Sequence, residues 1–270
     1  MVVSDVDGTL LDPDKNLTPG APAAVQRLKQ AGIRFTIVSA RPPRLTRQLM
    51  RDLDVTEPSA CFNGALLINS ESDILRQLPM ARGDAQTVAD HICKSKLDLW
   101  VYSGTDWYVS KPSGPHVQHQ EELMQCKAAP LHTYDMSQFH ALKLVGVSDD
   151  YDAVKRAESE LDNLHGIAIS ATRSSNYYLD VTHADANKGA VILTLSKMLD
   201  IPAERIATIG DMQTDALMFR QSGVSIAMGN ATDDVKAQAI YVTKSNTEDG
   251  FAYAMEHFIL GVAQKQAAAD

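Results

Sequence analysis

Asp5-Val6-Asp7-Gly8-Thr9-Leu10 follows the β-branched pair Val2-Val3 and closes it with a turn at Gly8-Thr9. Side chains alternate along a strand, so carboxylates two residues apart leave its C-terminal end on one side. In doubly wound parallel sheets that end is where ligands bind. Gly8 permits a sharp exit and a close approach of backbone to ligand. A plain turn uses the same residue types. The wider chain, where the pattern recurs, separates the two readings.

Working outward, Thr18-Pro19 reads as an N-cap followed by proline at the first helical position. Ala21, Ala24, Val25 and Leu28 recur at helical spacing, and Gly32 supplies the stop. Ile33, Phe35, Ile37 and Val38 form a second apolar strand closed by Ser39-Ala40-Arg41-Pro42-Pro43, and Leu45, Leu49 and Leu53 mark another helix. Asn63-Gly64 is a turn signal between Ala60-Cys61-Phe62 and Leu66-Leu67-Ile68. Near the other end, a helix over 190–199 precedes the strand Ile206 to Ile209, which breaks at Gly210-Asp211. Leu217 and Met218 belong to a further helix, and Val224 to Met228 is a strand stopped by Gly229. Apolar strands separated by helices indicate βαβ units and a parallel sheet covered on both faces.

The middle of the chain is more polar and aromatic. Leu99 to Tyr102 and Trp107 to Val109 flank a Ser103-Gly104 turn, 142–147 and 177–181 are strands, and 152–161 is a helix. The predicted fold class is therefore α/β, a doubly wound, Rossmann-like parallel-sheet core with an inserted α+β domain. The predicted division is core over 1–81, insert over 82–180 and core again over 181–270. The short tail Gln264–Asp270 is expected to fray.

The 270 residues include 25 basic and 34 acidic side chains, a net charge of −9, which argues against a nucleic-acid or anionic-membrane partner. An apolar fraction of 44% with 22% charged residues is that of a globular chain. No apolar run approaches the ~18 residues of a membrane span. Met1-Val2-Val3-Ser4 runs straight into Asp5, unlike an export signal, and Cys61, Cys93 and Cys126 form no CxxC pair. A cytoplasmic location with reduced thiols acting as packing residues is expected.

A second acid pair, Asp211 and Asp215, follows another apolar strand, and a helix beginning there would put both on one face. Convergence of the two strand ends would gather four acids, unstable together without a cation. A hard, oxygen-ligated ion such as Mg²⁺ neutralises such a group and recruits phosphate. Ser39, just past a strand, and Lys188, at the start of a helix where it opposes the helix dipole, suit an anion.

Asp5-Val6-Asp7-Gly8-Thr9-Leu10, Ser39, Lys188 and Gly210-Asp211 with Asp215 resemble the four ordered motifs of the haloacid dehalogenase-like superfamily of phosphatases. Phe62-Asn63-Gly64-Ala65, Ala227-Met228-Gly229-Asn230-Ala231, Glu248-Asp249-Gly250 and the size of the insertion resemble its Cof-type branch, whose large α/β cap covers the core. The resemblance implies a Mg²⁺-dependent phosphatase of a small phosphorylated metabolite such as a sugar phosphate, working through an aspartyl-phosphate. It implies Asp5 as nucleophile and Asp7 as general acid and base. It assigns Mg²⁺ to the Asp5 carboxylate, the Asp7 carbonyl and Asp211, with Asp215 in support. Ser39, Ala40 and Lys188 would hold the phosphoryl group, with Thr9, Arg41, Asn63 and Thr214 as supporting residues. Thr214 departs from the branch, which usually has asparagine there. Arg41, Asn63, Trp107, Lys111 and Arg173 are candidates for contact with the leaving group. His116 and His119 form the one close histidine pair, in an expected helix without metal-ligand spacing. Other readings of the same acids are a phosphomutase, a phospho-acceptor module and a non-catalytic phosphometabolite binder.

Overall fold

A computed structural model describes residues 1–71 and 73–261. The expected frayed tail lies outside them. The described chain forms two compact units: one comprises Met1–Ala40, Thr46–Leu75 and 187–261; the other comprises Arg41–Leu45 and Arg76–Ala186.

The first unit is built on a five-stranded sheet in the order Tyr241–Val242, Val224–Ala227, Ala207–Gly210, Val2–Ser4, Phe35–Ile37. Every pairing in it is parallel. Val2–Ser4 is an interior strand, with Ser4 opposite Ile209 on one side and Ile37 on the other. All three of its residues are buried: Val2 and Val3 are apolar, and the Ser4 hydroxyl donates to Asp5 O at 2.7 Å. The helices Ala21–Gln30, Pro43–Asp52 and Lys188–Leu199 follow the expected periodicity. Ala21, Ala24, Val25 and Leu28 are fully buried.

Two local readings are corrected. The first helix starts at Ala21, with Gly20 at its N-cap and Pro22 in its first turn, rather than at Pro19. The Gly20 amide is held by Asp249 Oδ1 at 2.9 Å, a contact 229 residues away that local propensity cannot register. Cys61 is buried as a packing residue, but Cys93 is exposed.

The second unit is a six-stranded sheet in the order Ile169–Ser175, Tyr178–His183, Ala141–Val147, Asp98–Ser103, Asp106–Val109, Ala129–Pro130. The helices Arg82–Lys94 and Tyr151–Asp162 supply Val88, Ile92, Val154 and Leu161 to a core shared with Leu99, Val101, Leu144, Leu179 and Val181. The strand Ile169–Ser175 was not expected. It alternates half-buried and exposed residues, so its polar Ser170, Thr172 and Ser174 face outward and leave no apolar run to read. The chain is thus an α/β core carrying an inserted α+β unit.

Candidate active site

Asp5 stands immediately past the interior strand Val2–Ser4, its amide bonded to Ile209 O at 2.9 Å, and its side chain is only 6% exposed. Asp211 stands past the neighbouring strand Ala207–Gly210. Both therefore leave the same edge of the sheet. Their approach depends on Gly8, at φ +83°, where a Cβ would collide with the Asp211 carboxylate. Gly210 is constrained in the same way by the carboxylate of Asp215.

Residues 211–215 do not begin a helix, contrary to expectation; the helix starts at Ala216. The segment turns back on itself, and Asp215 Oδ2 accepts the amides of Asp211 and Met212 at 2.9 and 2.8 Å. Backbone amides here favour a carboxylate over further helical turns, because the fixed negative charge satisfies two otherwise unpaired donors.

Lys188 opens its helix behind Asn187, whose side chain accepts the Ala190 amide. The Lys188 ammonium, 5% exposed, donates to Asp5 Oδ1 at 2.5 Å and to Asp215 Oδ1 at 2.6 Å. One oxygen of Asp5 and both oxygens of Asp215 are thereby occupied. Asp211 Oδ2 accepts the Asn230 amide at 3.3 Å. The remaining oxygens, Asp5 Oδ2 and Asp211 Oδ1, are buried and find no donor among the described residues. Burying an acceptor without a partner costs about 1–3 kcal/mol, more for a charged group.

The charge balance has the same message. The ligand oxygens of Asp5, Asp211 and Asp215 lie within 4.8 Å of one another. Three carboxylates against one ammonium leave a surplus of two negative charges. Burial pushes Asp5 up to about 8, assisted by Asp215 and Asp211 and opposed by Lys188. Burial likewise pushes Asp211 up to about 6, with Asp215 adding to it. Burial works against the Lys188 ammonium, but Asp215 and Asp5 outweigh it and hold its pKa above the ordinary value. A divalent cation bound to the two open oxygens would neutralise the group, and an all-oxygen donor set suits Mg²⁺. The residues fit such an ion.

A pH dependence follows. Asp5 and Asp211 have folded-state values above their ordinary 3.8, so between about pH 4 and 8 the metal-free folded protein holds more protons than the unfolded chain. Its stability should fall as pH rises through that window. Mg²⁺ binds the deprotonated carboxylates, so the rise in Tm on adding it should be small at pH 5 and grow towards pH 8. Melting curves with Mg²⁺ and with a chelator check this; an increment independent of pH would contradict it.

The other expected residues fall into two groups. Ser39 is buried beside the strand Val2–Ser4: the Val38 amide bonds to Ser4 O, and Ser39 O accepts the Asn63 amide at 2.8 Å. Asn63, in the left-handed region at φ 56°, is thus brought to Ser39, with half-buried Ala40 next along. Thr9 is buried in the turn after Asp7, and Thr214 is half-buried in the 211–215 turn. Although its charge still pushes Asp211 up, Asp7 lies outside the group of acids whose oxygens approach within 4.8 Å. Its Oδ1 accepts Lys15 Nζ at 2.9 Å, with 37% of the Asp7 side chain exposed, so the expected group of four carboxylates is three.

Arg41 belongs to the second unit. There Lys111 pairs with Asp98 and Arg173 with Glu158, each at 2.6 Å, and Trp107 is buried against Trp100. His116 precedes the helix Val117–Met124 rather than lying in it, and it bonds to Asp149. Lys15 and Asn230 were assigned no role from sequence. Asn230 follows Gly229 past a parallel strand, the same strand-end position that drew attention to Asp5, Ser39 and Asp211. Nothing comparable marks Lys15, which reaches Asp7 from a loop.

The haloacid dehalogenase-like hydrolase family matches residues 2–255. The chain belongs to that family and is a phosphoric monoester hydrolase of the Cof type. It is 28% identical to the 5-amino-6-(5-phospho-D-ribitylamino)uracil phosphatase YwtE of Bacillus subtilis, covering 96% of this chain and 98% of that one. It is 26% identical to the pyridoxal phosphate phosphatase YbhA of Escherichia coli, covering 96% and 98%. Its fold matches the crystal structure of a haloacid dehalogenase-like hydrolase from Bacteroides thetaiotaomicron with a TM-score of 0.85 at 26% identity, covering 96% and 98% of the two chains. No helix among the described residues is long and apolar enough to cross a membrane.

Proposed function

We propose that this chain is a Mg²⁺-dependent phosphatase of a small phosphorylated metabolite, a sugar phosphate or similar phosphomonoester, acting through an aspartyl-phosphate on Asp5. The observation that carries this is the buried Asp5–Lys188–Asp215 chain of ion pairs, which occupies one oxygen of the nucleophile and leaves the other, like Asp211 Oδ1 in the same group of acids, without a donor. The names of the relatives, phosphatases of two small phosphorylated compounds, support the substrate class.

Asp5 attacks phosphorus, and Asp7 protonates the departing alcohol. Asp7 then takes a proton from the water that hydrolyses the aspartyl-phosphate, returning Asp5 and releasing inorganic phosphate. To do so Asp7 exchanges its pairing with Lys15 for the leaving group. That surface pairing is worth at most about 1 kcal/mol, so the exchange is inexpensive. Lys188, Ser39 and the Ala40 amide hold the phosphoryl oxygens on which charge accumulates. Asp5, Asp211 and the Asp7 carbonyl would hold Mg²⁺, which when bound supplies positive charge to the transferring group. Asp215, with both oxygens occupied, positions Lys188 and the Asp211 loop. The insert, read as a cap over 82–180, selects the leaving group.

The test is a phosphate-release screen over sugar phosphates, nucleotides and pyridoxal phosphate, with and without Mg²⁺. Release from at least one small phosphomonoester, lost on chelation, is expected. Isomerisation of a sugar phosphate without release, or equal release in chelator, would contradict this function.

A further inference from the structure

Asn230 spends its whole side-chain amide on the site. Its Nδ2 donates to Gly8 O at 3.0 Å and to Asp211 Oδ2 at 3.3 Å, and its Oδ1 accepts the Asn246 amide at 3.0 Å. Asn246 in turn donates through its side chain to Leu11 O at 2.8 Å. Gly8 and Leu11 flank the turn that follows Asp5 and Asp7, whereas Asp211 comes from the other end of the chain. The two loops are therefore joined by one amide group. Its orientation is determined, since the opposite rotamer would set the amide oxygen against a carbonyl and a carboxylate.

We propose that Asn230 is a positioning residue for the divalent cation. By holding Asp211 Oδ2 and the Gly8 carbonyl together, it turns Asp211 Oδ1 towards Asp5 Oδ2, so that the two open oxygens face one ion. The inference rests on the reading that Asp5 and Asp211 hold Mg²⁺. Donors behind a metal ligand fix its direction, and their removal typically lowers metal affinity by about 10–100-fold.

The experiment measures Mg²⁺ binding by titration calorimetry on the wild-type chain, N230A and N230L. Leucine keeps the γ-branched shape of asparagine and removes its donors. Asn230 is exposed, so both variants should fold and melt near the wild type in chelator. Both should bind Mg²⁺ about 10–100-fold more weakly. The Mg²⁺ concentration for half-maximal phosphate release should rise in parallel, while KM at saturating Mg²⁺ moves less than about twofold. Mg²⁺ binding by N230L equal to that of wild type would overturn the proposal alone. A wild-type chain that binds no Mg²⁺ would overturn the reading of the site and this role with it.

Discussion

Asp5→Asn is expected to remove phosphatase turnover and leave the fold standing. Asparagine has the shape of aspartate, and its amide oxygen still accepts from Lys188, so the buried pocket keeps its packing. The substitution also takes away one of two surplus negative charges in a pocket whose burial already pushes Asp5 up. The metal-free variant should therefore melt at or above the wild-type Tm. The amide nitrogen cannot attack phosphorus, and loss of a covalent nucleophile costs on the order of 10⁴-fold or more in kcat. Phosphate release beside a melting curve checks both halves. Turnover within tenfold of wild type would exclude Asp5 as nucleophile.

Lys188→Met is expected to damage stability as well as activity. Lys188 is the only ammonium bonded to Asp5 and Asp215 among the described residues, and all three side chains are at least nine-tenths buried. Methionine fills the aliphatic path and leaves two carboxylates unpaired. Removing one partner of a buried ion pair costs about 3–5 kcal/mol, which for a chain of this size lowers Tm by roughly 10 °C. Turnover should fall by about 10²–10³-fold as the phosphoryl group loses a buried cation. Adding Asp215→Asn removes one stranded charge, so the double variant should recover part of the lost Tm and none of the lost turnover. Unchanged melting in Lys188→Met would show that the three groups do not share charge as their distances indicate.

The core was legible because apolar runs, glycine stops and acids past strand ends are local features. Val2 and Val3 read as a buried strand because they are β-branched and apolar, and Asp5 and Asp211 are found by where they leave their strands. Side-chain direction was less legible. The sequence places Asp7 on the side of Asp5, and in the fold its carboxylate pairs with Lys15 outside the three-acid group. The spacing of Asp211 and Asp215 suits a helix, yet two backbone amides close the segment into a turn. The ion pairs of Lys111 and Arg173 are equally invisible to a local reading, because their partners, Asp98 and Glu158, lie 13 and 15 residues away on other elements. Asn230 needed the three-dimensional fold, since its amide bonds to Gly8, 222 residues distant. Pairings of that kind leave no periodic trace.

The most direct measurement is a crystal structure grown with Mg²⁺ and a phosphate mimic such as vanadate. One ion is expected about 2.1 Å from both Asp5 Oδ2 and Asp211 Oδ1, with Asp215 still bonded to Lys188 and the mimic facing Asp5. An ion bound to Asp215 instead, or the mimic lying away from Asp5, would contradict the proposed chemistry.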